Sequence, residues 1–91
     1  MNRADYERLI EPAYLLQLRK STDYNGEESV HSYFPFGPMS YAQMIHVKSM
    51  RIAQLSQNNQ EPNFESIRDS LFDLINYTVF YLDFLDRKDK I

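Results

Sequence analysis

The fold is decided by residues 63–85, NFESIRDSLFDLINYTVFYLDFL, which read as one long helix. Polar side chains recur in it at spacings of four, four and three residues, at Glu65, Asp69, Asp73 and Asn76. Residues three or four apart share one side of a helix, so all four side chains lie along one stripe. The stripe continues two turns later as Phe80 and Phe84. Because a purely solvated face does not normally become aromatic, this stripe needs an explanation.

The polar stripe has two explanations. Its carboxylates are solvated while its phenylalanines cover a neighbouring element, or the acids belong to an inward polar cluster that closes a pocket between helices. The main apolar face of the helix lies elsewhere on its circumference, at Ile67, Leu71, Leu74, Thr78 and Leu82.

A second helix is predicted from Ser40, with Gln43 completing a capping box, to about Gln57. One apolar stripe runs along it, formed by Tyr41, Met44, Ile45, Ile52 and Leu55. Lys48 falls in the middle of this stripe and Arg51 at its edge. Either Lys48 extends its ammonium to water or it meets a carboxylate, because an unpaired buried charge is costly. We expect an antiparallel pairing of this helix with the last one, which brings Lys48 or Arg51 to the acids.

The remaining sequence predicts an all-α bundle of three main helices. Residues 5–20 have helical spacing and are broken or kinked near Pro12. Residues 21–38 contain both glycines and two of the four prolines, which indicates a long loop between the first and second helices. Pro62 followed by Asn63 as the N-cap starts the last helix.

Composition limits the class of protein. A chain of 91 residues, 43% hydrophobic and 25% charged, is expected to form one domain over residues 1–91. The net charge of −3 disfavours extended binding to nucleic acid but leaves small phosphorylated ligands open. There is no cysteine, which excludes disulfides and thiolate chemistry. We find neither a membrane-spanning run nor a signal peptide, and expect a complete cytoplasmic protein, located in the host cytoplasm if phage-encoded.

The acids of the last helix also suggest a metal site. Neighbours four residues apart rise by about 6 Å and can share an ion, whereas Glu65 and Asp73, about 12 Å apart, cannot bind one directly. A Mg²⁺ ion would therefore need Asp69 with Glu65 or Asp73, together with waters and substrate oxygens. His31 and His46 have no ligand at a suitable spacing and are interpreted as ordinary polar residues.

These residues resemble the nucleotide modification associated domain type 1 family, small α-helical proteins found mainly in phages and bacteria. Three elements carry the resemblance, over about residues 16–85: Lys20, Asp23 and Tyr24; Lys48 and Arg51; and Glu65, Asp69, Asp73, Asn76 and Tyr77. Asn25 stands where the family more often has glycine, and Gly26 follows it. The resemblance implies a role in phage nucleotide metabolism or base modification. A weaker similarity exists to MazG-like all-α nucleoside triphosphate pyrophosphohydrolases, whose facing helices both carry acids, whereas the helix facing these acids carries Lys48 and Arg51.

Two functions from different classes remain open, and the sequence does not decide whether the protein is an enzyme. In the first, Lys20, Lys48 and Arg51 contact the phosphate of a nucleotide, the acids hold those cations or Mg²⁺, and Tyr24 or Phe36 stacks on the base. In the second, a non-catalytic phage protein binds and inhibits a host or defence protein. We also expect a homodimer, because aromatic residues are spread around the last helix: Phe72, Tyr77, Phe80, Tyr81 and Phe84.

Overall fold

The protein is described by a computed structural model that covers the backbone of residues 1–23, 30–57 and 62–89, with side chains for residues 1–20, 30–57 and 67–87. It contains α1 (Arg3–Asp23), a short 3-10 helix (Val30–Tyr33), α2 (Pro38–Gln57) and α3 (Pro62–Asp89). No strand occurs within these ranges, so the predicted all-α arrangement of three helices is confirmed. None of the helices in the described ranges is long and apolar enough to cross a membrane.

The first helix begins earlier than the sequence predicts and continues through Pro12 without ending there. Its start is capped by Asn2, whose side-chain oxygen accepts a hydrogen bond from the backbone N–H of Asp5 at 2.9 Å. Pro12 has no N–H to donate to the carbonyl group four residues earlier, which leaves one helical hydrogen bond unmade. The rest of the turn is retained, and Ala13 beside it is buried.

The second helix begins at Pro38, so the predicted capping box of Ser40 and Gln43 is wrong. Gly37 has φ of +68°, a conformation that glycine adopts without strain, and Pro38 then supplies the φ suited to a first helical residue. Ser40 lies inside the first turn, where its buried hydroxyl oxygen accepts the backbone N–H of Phe36 at 2.8 Å. The signal that starts this helix is therefore the Gly-Pro pair.

The predicted loop is shorter than the 18 residues assigned to it. The first helix extends to Asp23, and the 3-10 helix occupies Val30–Tyr33; residues 24–29 lie outside the described part of the chain. The third helix begins at Pro62, so Asn63 belongs to its first turn and is not the N-cap. Proline is favoured at the first position of a helix because its missing N–H has no helical partner there.

The predicted antiparallel pairing of α2 and α3 is confirmed. Near the start of α2, the Tyr41 ring stacks on Tyr81 at a centroid distance of 5.4 Å, whereas further along α2 Lys48 meets Asp73. Rising residue numbers on α2 therefore meet falling numbers on α3. These two helices make the most extensive contact among the described elements, and α1 packs on α3.

The inward side of α3 is the polar and aromatic stripe, not the face with most aliphatic residues. Tyr41 is completely buried and Phe34 stacks on it at 4.4 Å, and the aromatic residues around this pair come from α3, namely Tyr77, Phe80, Tyr81 and Phe84. Aromatic rings bury more apolar area than leucines, which favours this side for the core. Phe34 thereby anchors the residues just before α2 on the core. The aliphatic face on the other side of α3 is largely exposed.

Candidate functional site

The carboxylate of Asp73 joins all three helices. Its Oδ2 lies 3.0 Å from Nζ of Lys48 on α2, and its Oδ1 lies 3.2 Å from Nζ of Lys20 on α1. The predicted contact between the central lysine of α2 and an acid of α3 is thus present. The three side chains define the lysine–aspartate junction.

The junction holds one more positive charge than negative charge. The side chains of Lys48 and Asp73 are only 21% and 17% exposed, whereas Lys20 is half-exposed at the rim. Charges that are partly withdrawn from water interact more strongly than charges at the surface. One lysine would already balance the carboxylate, so the second leaves a net charge of about +1 there. This surplus of positive charge distinguishes the junction from a balanced ion pair.

Asn76 positions α1 at the junction. Its amide nitrogen donates a hydrogen bond of 3.0 Å to the backbone carbonyl of Ala13, which is almost fully buried. The small Ala13 side chain allows α1 and α3 to approach closely. Lys20 lies two turns further along α1, where it reaches Asp73. Asn76 therefore acts on the junction through the position of the helix that carries Lys20.

Of the other predicted site residues, some lie beside the junction and some lie outside the described part of the chain. Arg51 is exposed and lies one turn after Lys48, and Asp69 is exposed and lies one turn before Asp73, so both flank the junction. The side chains of Asp23 and Glu65, and Tyr24 as a whole, lie outside the described residues.

The junction does not offer the donor set of a protein-held metal ion. Within the part of the chain that the structure describes, no group of three or more His, Asp or Glu side chains lies close enough to hold one. Both oxygens of Asp73 face ammonium groups, which compete with a cation for the carboxylate. The Mg²⁺ predicted at Asp69, Glu65 and Asp73 therefore stays a prediction, and the described residues fit an anion better.

A second polar network is centred on His31, and the spacing of residues along the sequence did not predict it. Nε2 of His31 donates to Oδ2 of Asp83 at 2.8 Å, Nδ1 is hydrogen-bonded to the Tyr41 hydroxyl, and Nε of Arg87 donates to the same Asp83 oxygen at 2.9 Å. Asp83 is 52 residues from His31, so no local pattern reveals this partner. The network fastens the 3-10 helix to the hairpin of α2 and α3.

Two pKa values are shifted by this network. The hydrogen bond from His31, assisted by the charge of Arg87, lowers the pKa of the Asp83 carboxyl against a smaller opposing effect of burial. Burial raises the pKa of the Tyr41 hydroxyl, and the negative charge of Asp83 raises it further. Tyr41 is inaccessible to any substrate, so this chain of hydrogen bonds serves the fold.

Phe36 does not join the lysine–aspartate junction. It lines a shallow apolar notch with Met39, Gln43 and His46. On α2 these positions point away from the side that carries Lys48, since residues 39, 43 and 46 share a face roughly opposite to residue 48. A base stacked on Phe36 would lie on the wrong side of α2 for its phosphate to reach Lys48.

The fold and the junction define a class: small all-α proteins in which lysines from two helices meet a carboxylate of a third. The sequence matches the nucleotide modification associated domain 1 family over residues 20–83, well over half of the chain, and the match begins at Lys20 of the junction. The chain therefore belongs to this family, which confirms the expected resemblance. The similarity to MazG-like pyrophosphohydrolases receives no support from the comparisons. No curated protein and no solved structure matches the chain.

Proposed function

We propose that the protein binds a nucleotide whose phosphate group lies against Lys20 and Lys48 at the lysine–aspartate junction. The observation that carries this proposal is the pairing of one carboxylate with two ammonium groups from different helices. One lysine balances the carboxylate, and the second leaves a surplus positive charge. A phosphate monoester carries a charge of about −1.5 to −2 at neutral pH and complements the surplus.

Family membership supports a nucleotide as the source of that phosphate, since the family is described as associated with nucleotide modification. The exposed Arg51 is one turn from Lys48 and offers a planar guanidinium for bidentate contact with phosphate oxygens. Asp69, one turn before Asp73, is exposed and is the described carboxylate best suited to face a Mg²⁺ ion carried by a triphosphate.

The proposal is tested by thermal shift against deoxynucleoside mono- and triphosphates, with and without Mg²⁺. A ligand present at about 100 times its Kd stabilises the folded protein by about 2.7 kcal/mol. We expect this stabilisation for wild type and a smaller one for Lys48→Met. Arg8→Met is a matched control, because it also removes one positive charge but from an exposed site on α1.

Failure of the well-folded wild type to bind any member of the panel would contradict the proposal. It would favour the alternative function, a phage protein that binds and inhibits a host or defence protein. Phage origin and a cytoplasmic location belong to the same proposal, and they stay predictions.

A further inference from the structure

The aliphatic face of α3 is exposed along most of the helix. Leu71 and Leu85 are each 40% exposed, Leu82 is 58% exposed, and Thr78 lies exposed between them. Leu82 is nine residues from Asp73, which is a half-turn away around the helix, so this face points away from the lysine–aspartate junction. We call Leu71, Thr78, Leu82 and Leu85 the leucine stripe.

The leucine stripe can be covered by a partner without burying an unpaired hydrogen-bond donor. Its residues recur at intervals of seven, four and three, which keeps them on one side of a helix in the pattern used by packed helix pairs. The one polar member, Thr78, donates its hydroxyl to the carbonyl of Leu74 at 2.7 Å, so covering the stripe strands no donor.

The exposed surface is larger than the average for a monomer of this mass. The chain exposes 7211 Å². A monomer of 10.9 kDa exposes about 5,600 Å² on average, whereas a standard interface covers about 800 Å² on each partner. The surplus of about 1,600 Å² is therefore more than one such interface would remove.

Charges beside the leucine stripe indicate what the partner is. Arg68 and Asp86, both exposed, are 18 residues apart, which is five whole turns, so they lie on the same flank of the stripe at its opposite ends. Thr78 lies between them, ten residues from one and eight from the other. In an antiparallel pair of α3 helices centred near Thr78, Arg68 of each copy comes within about 3 Å along the axis of the level of Asp86 in the other. A parallel two-fold pair would instead leave Arg68 of each copy about 27 Å along the axis from Asp86 of the other.

We propose that two copies of this chain associate through the leucine stripe, with their α3 helices antiparallel about a two-fold axis near Thr78. Each interface then contains the Arg68–Asp86 pair twice, because a two-fold contact repeats every interaction. Antiparallel helices also oppose their dipoles favourably. The lysine–aspartate junction of each copy stays open on the far side, so the dimer is independent of the nucleotide proposal.

This surface differs from the aromatic one that suggested self-association in the sequence. Of those aromatic residues, Tyr77, Phe80, Tyr81 and Phe84 pack with Phe34 and Tyr41 inside the chain. The guanidinium of Arg68 lies 5.6 Å from the centre of the Phe72 ring. On α3, the large apolar side chains that remain exposed to a partner are aliphatic.

The test is sedimentation equilibrium of the purified chain from about 1 to about 200 µM, a range that resolves dimers of ordinary affinity. We expect wild type to be a dimer and Leu82→Glu to raise the dimer dissociation constant by about a hundredfold, because it buries an unpaired carboxylate in an apolar contact. Met50→Glu is the matched control, since Met50 is a comparably exposed apolar residue on α2. Circular dichroism checks that each variant is folded.

Charge reversal tests the arrangement of the two copies. Arg68→Glu and Asp86→Arg should each weaken the dimer about fivefold or more, and the double variant should return to within about threefold of wild type. A wild type that stays monomeric overturns the proposal, and so does a dimer that Leu82→Glu leaves intact. Charge reversals whose losses add in the double variant overturn the antiparallel arrangement. Nucleotide titration of Leu82→Glu separates the two proposals, because a folded monomer should still bind.

Discussion

At the scale of single residues, Asp73 is the side chain whose two ion pairs join α3 to both other helices. It is largely buried, and it contacts two ammonium groups that differ in their access to water. Lys20 is half-exposed and can turn to water, whereas Lys48 lies against the core and cannot do so easily. The sequence predicted this contact because a lysine in the centre of an apolar stripe requires a partner. It did not select Asp73 among three acids, since that choice depends on how the helices cross.

A double-mutant cycle tests the coupling of Lys48 to Asp73. Asp73→Asn should lower the free energy of unfolding by about 1 to 3 kcal/mol, because it leaves both ammonium groups without their counter-charge. Lys48→Met should cost less, since Asp73 keeps Lys20. The double variant should lose less than the sum of the two single losses, as measured by urea denaturation. Strictly additive losses would show that the two side chains are not coupled.

His31 and Asp83 give the molecule a defined sensitivity to acid. The folded-state pKa of Asp83 is lowered from its ordinary value of 3.8, chiefly by the hydrogen bond from His31. A lowered pKa means that the stabilisation is present above about pH 4 and is lost as the pH falls through the folded-state value. The difference in unfolding free energy between wild type and Asp83→Asn should therefore shrink between about pH 5 and about pH 2.

The control for this pH series is Asp69→Asn, which removes an exposed carboxylate from the same helix. Its difference from wild type is the reference for the loss of a carboxylate that has no contact with His31. A difference for Asp83→Asn that is independent of pH would show that the hydrogen bond from His31 does not stabilise the folded state.

At the scale of elements, the sequence predicted the positions of the helices along the chain more accurately than the faces that these helices bury. The three helices follow from periodicity, and their antiparallel order follows from the charges on α2 and α3. The choice between the two sides of α3 does not, because both sides are apolar by composition. It is decided by Phe34 and Tyr41, whose rings pack on the aromatic side. Such tertiary contacts cannot be inferred from the periodicity of one helix.

The start of α2 offers a test of one element boundary. Gly37 has φ of +68°, and a side chain at this position would meet no atom within 4 Å. Gly37→Ala should therefore lower the free energy of unfolding by about 1 kcal/mol through backbone strain alone. Gly37→Asn should cost less, because asparagine tolerates positive φ. Chemical denaturation of both variants checks this, and an alanine variant as stable as wild type would contradict it.

At the scale of the whole molecule, three helices converge on one carboxylate, and this convergence turns a structural motif into a candidate binding site. The sequence predicted most members of the site, since Lys20, Lys48 and Asp73 were all named from spacing and family resemblance. It did not predict which site residues contact another helix and which are exposed beside the junction. Asn76 contacts the Ala13 backbone and Arg51 and Asp69 are exposed at the flanks, which only the relative positions of the helices reveal.

Calorimetric titration of one nucleotide, the strongest binder of the panel, into three variants tests most directly whether the lysines bind phosphate. Lys48→Met should lower the affinity about tenfold or more, which is about 1.4 kcal/mol. Asp73→Asn should raise the affinity, because it removes the carboxylate that competes with phosphate for the two ammonium groups, and Arg8→Met should leave it unchanged. If Asp73→Asn instead abolishes binding while Lys48→Met leaves it intact, the carboxylate and not the lysines holds the ligand, and the proposed phosphate site is wrong.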